Sequence, residues 1–325
     1  MKSYCIKIIF VFNAFMIGHM QQATAQSLED FVVRADSLYQ AGNIDQTIEV
    51  YEEAIVQYPE NPMLYVVLGE LKCGMVTRFS TDEKAYQAGI EQLDKALSID
   101  STFYPALNSK ARINLFYQKY DKAIAGFTKA LEYVPSKKEL VICLSDRGSA
   151  KTYSQDFEGA IEDLNKALEL KPGDRKLLVN IGTTHLFSKN FLKAEQVFLK
   201  LYEIIPEDNT LLNNLGFVYI ELEKYKKARE MLSKVIQQAP NEPFAYNNLG
   251  YVEIKLGNLE KGMELIDHSL SIYPENSYAY KQRAIGWIAL KNMDQACLDL
   301  NKASKLGYSV SYGEEVGQLM EEHCK

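Results

Sequence analysis

The chain has 325 residues and sets 36 Lys and Arg against 43 Asp and Glu, a net charge of −7. Such an acidic surface without a basic stripe repels a phosphate backbone, so no nucleic-acid partner is expected. Five cysteines in this length are too sparse for a disulfide framework, and stability must come from packing.

Residues 1–25 stand apart from the rest. Lys2 and Lys7 accompany a start without acids, residues 8–17 are an apolar run broken only by Asn13, and Ala23-Thr24-Ala25 places small residues before Gln26. That order predicts a secretory signal peptide cleaved after Ala25. A spanning helix needs about 18 or more apolar residues, so the mature chain is not expected to cross a membrane. Cys5 precedes the apolar run, which leaves no cysteine placed for a lipid anchor. Without the two lysines the mature chain keeps 34 basic and 43 acidic residues, a charge of −9. An exported protein, periplasmic or secreted and bacterial, is the expectation.

From Leu28 onward a period sets in, clearest in residues 209–276, where one 34-residue sentence is written twice. NNLG at 213–216 returns at 247–250, Leu232 returns as Ile266, and Pro240 returns as Pro274. A fixed period of this length means stacked units that bury their apolar faces only against neighbouring copies. In the first copy Ala35, Thr47, Tyr51, Ala54 and Pro59 occupy the places later held by Gly216, Ala228, Leu232, Val235 and Pro240.

This arrangement resembles the tetratricopeptide repeat, whose paired helices A and B carry small residues at repeat positions 8, 20 and 27 and proline at 32. Position 8 holds Ala35, Gly69, Ala111, Gly148, Gly182, Gly216, Gly250 and Ala284; position 20 holds Thr47, Gly89, Ala123, Ala160, Ala194, Ala228, Gly262 and Ala296. Small side chains there let the two helices of a hairpin approach closely. Position 24, from Tyr51 through Leu93, Phe127, Leu164, Phe198, Leu232 and Ile266 to Leu300, supplies the large apolar group of helix B. At the crossing of repeat six, Gly216→Leu is expected to overpack and Gly216→Ala to be tolerated.

A proline inside a helix costs about 3 kcal/mol, and all nine prolines avoid the predicted interiors. Pro59, Pro135, Pro172, Pro206, Pro240 and Pro274 close repeats, while Pro62, Pro105 and Pro243 open the next helix. The expected fold class is all-α, a right-handed superhelical solenoid of eight antiparallel helix pairs over residues 26–308. Residues 309–325 are expected to form a C-terminal capping helix with Val316, Leu319 and Met320 on one face. The period is interrupted near 72–83, with eight extra residues, and at 136–140, where three extra residues lengthen a turn. Either interruption is a tolerated extension or a protruding contact loop.

No phosphate-cradling loop, nucleophile elbow or zincin helix occurs, so no catalytic residue, cofactor or metal is expected. His185, His268 and His323 are scattered over distant repeats and the terminus. The resemblance implies a non-catalytic protein-interaction scaffold with a concave groove lined by helix A holding an extended peptide or partner protein, and the signal peptide expected over residues 1–25 puts that scaffold in the cell envelope. At position 6, Asn180, Asn214, Asn248 and Gln282 form a column of amides able to pair with peptide backbone, beside Phe217 and Tyr251 at position 9 and Phe187 at position 13. The alternative for the amides is that asparagine is simply common at this repeat position. The family's basic clamp for a C-terminal carboxylate is not reproduced, since Lys281 stands alone at position 5. A permanent structural subunit, using the convex face or the repeat-two insertion, is the competing function. Cys297 and Cys324 form a candidate disulfide if their α carbons lie within about 7 Å.

Overall fold

The computed structural model describes residues 26–74, 82–309 and 313–324. The signal peptide expected over residues 1–25 lies outside them, as does most of the repeat-two insertion. Among the described residues there are seventeen α-helices and no strand, and the chain divides into two compact units, Met1–Pro172 and Gly173–Lys325. The first unit contains α1 (Leu28–Gln40), α2 (Ile44–Gln57), α3 (Pro62–Lys72), α4 (Glu83–Ile99), α5 (Tyr104–Phe116), α6 (Tyr120–Leu131), α7 (Lys137–Tyr153) and α8 (Phe157–Leu170). The second contains α9 (Arg175–Phe187), α10 (Phe191–Tyr202), α11 (Asn209–Glu221), α12 (Tyr225–Gln238), α13 (Pro243–Lys255), α14 (Leu259–Ile272), α15 (Ser277–Ala289), α16 (Met293–Lys305) and α17 (Glu315–His323). Within each unit an odd-numbered helix packs most heavily on the helix that follows it, and that pair stacks on the next.

Helix starts follow from the sequence. Ser27, Asn61, Ser136, Asp174, Asp208 and Asn276 each accept a hydrogen bond from a first-turn amide, and Pro62 and Pro243 are the first residues of their helices. The turn between paired helices uses one device in seven of the eight pairs. Repeat position 15 has positive φ at Gly42, Gln118, Gln155, Lys189, Glu223, Gly257 and Lys291. Glycine adopts that left-handed conformation freely, whereas the five other side chains hold it at a cost of about 1 kcal/mol each.

The core is the crossing of each pair. All eight large residues at position 24 are buried, with Leu93, Phe127, Leu164, Phe198, Leu232, Ile266 and Leu300 fully inaccessible and Tyr51 at 3%. Position-8 glycines lie directly against them: a Cβ added at Gly182 would stand 2.3 Å from Phe198 Cε1, and one at Gly216 2.6 Å from Leu232 Cγ. Gly216→Ala is therefore not free, since the enclosed Leu232 would have to shift. Where positions 8 and 20 are both glycine the two backbones themselves approach, and a Cβ on Gly250 would lie 2.7 Å from the carbonyl oxygen of Gly262.

The interruption at repeat four becomes helix. In repeat four the extra residues do not lengthen the turn; α7 begins at Lys137, capped by Ser136, so it gains a turn at its N-terminus and runs to 17 residues. In repeat two, α4 likewise starts early, at Glu83, and is 17 residues long. Its added turn is used: Lys119 Nζ from the loop after α5 pairs with Glu83 at 3.1 Å, and Tyr86 donates to Asn114 Oδ1 at 2.8 Å.

Ion pairs tie the pairs together at a repeating place. Arg147 makes a two-pronged contact with Asp163 at 2.7 and 2.6 Å, and Arg283 repeats it with Asp299 at 2.7 and 2.7 Å, in both cases 16 residues apart. In α13, Glu253 is fully buried and is satisfied by Arg229, Asn258 and Lys261 at 2.7, 2.7 and 2.9 Å. At the C-terminus Val316 of α17 is buried with Leu300, Ala303 and Tyr308, and Leu319 and Met320 pack on them. A disulfide joins Cys297 of α16 to Cys324, with α carbons 5.6 Å apart.

Candidate peptide groove of the second unit

Helices α9, α11, α13 and α15 are the A helices of the second unit, and α11 contacts α13 as α13 contacts α15. Their shared face curves sharply. The Phe217 ring on α11 comes within 6.4 Å of Tyr278 on α15, two repeats away. Tyr251, at the place in α13 equivalent to Phe217, lies close by, since both Tyr251 and Tyr278 rings face the Lys281 ammonium at 5.9 and 5.0 Å. The curve thus gathers aromatic surface from three repeats around one cation.

Along the amide column the four predicted residues part company. Asn180 and Asn214 are half-buried, and Phe187 is 49% exposed. Asn248, by contrast, is 5% exposed and Gln282 is fully buried. Neither lies open as the ladder expects, because both join a buried amide cluster. Asn247 lies 2.7 Å from Gln282 and 3.1 Å from both Asn248 and Asn276. With its oxygen and nitrogen exchanged, Asn247 also donates to the Pro243 and Phe244 carbonyls at 3.2 and 3.3 Å. Inside a helix stack an amide gains more from such partners than from remaining unpaired, so these side chains turn inward. Gln282 Nε2 alone finds no protein partner there.

Residues outside the predicted column complete the face. Lys281, 4% exposed, pairs with Glu315 Oε2 of α17 at 2.9 Å, and Tyr308 donates to the same oxygen at 3.0 Å. Burial lifts the Tyr251 hydroxyl well above the ordinary tyrosine value, and the charges of Glu315 and Glu221 push the same way. Desolvation also raises the Glu221 carboxyl, with Lys281 opposing and Glu315 reinforcing the shift. The lone lysine at position 5 was visible in the sequence, but its carboxylate partner lies 34 positions away in a segment outside the period. Among the described residues no group of three His, Cys, Asp or Glu is placed to hold a metal ion, and no helix is long and apolar enough to cross a membrane.

Comparison with known proteins agrees with this architecture. Models of the tetratricopeptide repeat match residues 34–61, 144–174, 210–242 and 245–276. Over 108 residues the chain is 23% identical to Hsp70-Hsp90 organizing protein 2 of Arabidopsis thaliana, a match covering 33% of this chain and 18% of that protein. Among solved structures, a tetratricopeptide repeat protein from Parabacteroides merdae superposes with a TM-score of 0.62 at 17% identity, over 81% of this chain and 99% of the other. The Cut9-Hcn1 hetero-tetramer of APC/C gives 0.63 at 14% identity over 92% of this chain and 56% of that one. Yeast Tom70 gives 0.58 at 14% identity over 95% and 67%. These structural likenesses speak for the fold, and with the matched segments, the paired helices and the glycine crossings they lead to one conclusion: the chain carries tetratricopeptide repeats and has the fold that such repeats build.

Proposed function

We propose that this protein is a non-catalytic interaction scaffold that holds an extended segment of a partner protein against the A-helix face of its second unit. Tetratricopeptide repeat proteins in general mediate protein–protein contacts. The observation that carries the proposal is the half-open part of that face, where Asn180 and Asn214 are only half-buried and Phe187 is exposed, while Phe217 reaches Tyr278 further along the same curve. Accessible amides pair with a peptide backbone while neighbouring rings take its side chains. The pattern of residues 1–25 supports export, so the scaffold is placed in a bacterial cell envelope, periplasmic or secreted.

The test is cross-linking in intact cells from a photoreactive residue at Phe187. A partner captured there, whose affinity for the purified protein falls in an Asn180→Ala, Asn214→Ala variant, supports the proposal. A partner that cross-links only from the outward faces of the B helices and co-purifies at fixed stoichiometry would instead make the chain a permanent structural subunit.

A further inference from the structure

The last repeat of the second unit has its A-helix face covered by the chain itself. Lys281 is enclosed by Tyr251, Tyr278 and Tyr308, with ring centroids 5.9, 5.0 and 5.8 Å from its ammonium. Tyr308 is 1% exposed and stacks on Tyr278 at 6.2 Å with the planes 11° apart. Its hydroxyl and the Lys281 ammonium share one oxygen of Glu315, whose side chain is still 53% exposed. A desolvated ammonium requires a carboxylate, and here the carboxylate comes from α17, beyond the last repeat. The Tyr251 and Tyr278 faces and a buried cation are a receptor for an acidic group next to an aromatic one. Tyr308 and Glu315 occupy it from within.

What keeps them there is also visible. Helix α17 has nine residues, Gly317 among them, too few to persist as a helix once undocked. Val316, Leu319 and Met320 hold it against the last repeat, and the Cys297–Cys324 disulfide closes the chain over a separation of 27 residues. The two other described cysteines, Cys73 and Cys143, are buried and far from this place in the sequence.

Building on the groove proposed above, we infer that α17 is an internal occupant of that groove, held over Lys281 by the Cys297–Cys324 disulfide and released when a dithiol reduces it. The partner that replaces it is a peptide presenting a carboxylate beside an aromatic side chain. In the reduction the sulfur–sulfur bond breaks and the dithiol gives up two electrons and two protons. Cys297 and Cys324 become thiols, and the reductant leaves as a disulfide. Without the covalent link, α17 is held by its apolar contacts and one ion pair, and it exchanges between docked and undocked positions.

Lysine acylation by an N-hydroxysuccinimide ester, read residue by residue by mass spectrometry on the full chain, tests the lock. Lys281 in the oxidised protein should be protected relative to exposed Lys226. Treatment with dithiothreitol, or Cys324→Ser, should raise acylation of Lys281 at least about tenfold, within the several-hundredfold that loss of the link allows. Lys226 and the helical circular dichroism should stay unchanged, which excludes global unfolding. Protection of Lys281 that persists in both reduced protein and Cys324→Ser would overturn the lock.

A labelled peptide with the sequence of residues 306–322 then tests the receptor. It should bind Cys324→Ser at least tenfold more tightly than the oxidised protein, and Lys281→Met in the same background should abolish the gain. Exposure of Lys281 without peptide binding would sink the groove and leave the lock in place, so the two failures are distinguishable.

Discussion

Gly250→Ala isolates a helix crossing in the second unit at which backbone meets backbone. The new Cβ would stand 2.6 Å from Ile266 Cγ1 and 2.7 Å from the Gly262 carbonyl oxygen, with the Ile266 nitrogen at 3.1 Å. Unstrained carbon contacts lie at about 3.5–4.0 Å, so both near contacts are about 1 Å too short. Ile266 is fully buried, and a backbone oxygen cannot rotate aside, so α13 and α14 must separate. Overpacking costs about 1–3 kcal/mol, and against an immovable backbone oxygen the upper part of that range applies, about 2–3 kcal/mol, of which the better helix propensity of alanine returns about 1 kcal/mol. The net loss is about 1–2 kcal/mol, or a melting temperature lower by about 3–6 °C for a unit of this size. Gly216→Ala should cost less, because its three nearest obstructions are all atoms of the Leu232 side chain. Thermal and urea unfolding followed by circular dichroism measure both variants. A Gly250→Ala protein as stable as the parent would mean that α13 and α14 are not in such close contact and that propensity alone governs the site.

At the interhelix turn, Glu223→Gly should raise stability by about 0.5–1 kcal/mol by relieving a positive φ of 55°, and Gly257→Glu should lower it by a similar amount; thermal unfolding of the two reads the sign. Burial alone would raise the Glu253 and Asp163 carboxyls. The Lys261, Asn258 and Arg229 contacts of the one and the Arg147 and Lys151 contacts of the other outweigh it, so both titrate below their ordinary values. Groups depressed in this way contribute stability that is present above their unfolded values of about 4 and is lost as the pH falls through their folded values. Denaturation profiles between neutral pH and pH 2 should therefore show a steep loss below about pH 4, shallower in Glu253→Gln; an equal slope in both would remove Glu253 from the account. Asn180→Ala with Asn214→Ala should weaken a captured partner about five-fold to a hundred-fold without moving the melting temperature, and calorimetric titration beside thermal unfolding separates binding from stability.

Much of the fold was legible because the constraints that shape it recur. A small residue at position 8 and a large one at position 24 touch in repeat after repeat, so the spacing of Gly182 and Phe198, or Gly216 and Leu232, reports a contact. Prolines mark the turns for a separate reason, the missing amide donor. The extra residues before Val141 were not legible as helix, since a longer turn and a longer helix absorb them equally well until Ser136 is seen capping. The turn conformation at position 15 was hidden because only Gly42 and Gly257 advertise it; the other five are held there by the helices on either side. One signal was present and unread: Arg147 with Asp163, and Arg283 with Asp299, share the same spacing in repeats four and eight. The amide column misled because repeat position specifies which face a side chain starts from and not what it finds there. Asn214 and Asn248 occupy equivalent positions, yet Asn248 has Asn247, Gln282 and Asn276 clustered around it.

That difference divides the A-helix face of the second unit by function. Its first two helices keep their position-6 amides half-open, while its last two turn theirs inward and present Lys281, Tyr251 and Tyr278 instead. Amides recognise any backbone, so the open part supplies affinity with little discrimination. A buried lysine demands a carboxylate, so the covered part supplies the discrimination. An internal occupant on the discriminating part keeps that cation satisfied whenever no partner is present, which an open face could not do without leaving a desolvated charge unpaired. Glu315 is thus required by the same electrostatics that make Lys281 selective, and the disulfide that holds α17 adds control over when the exchange can take place.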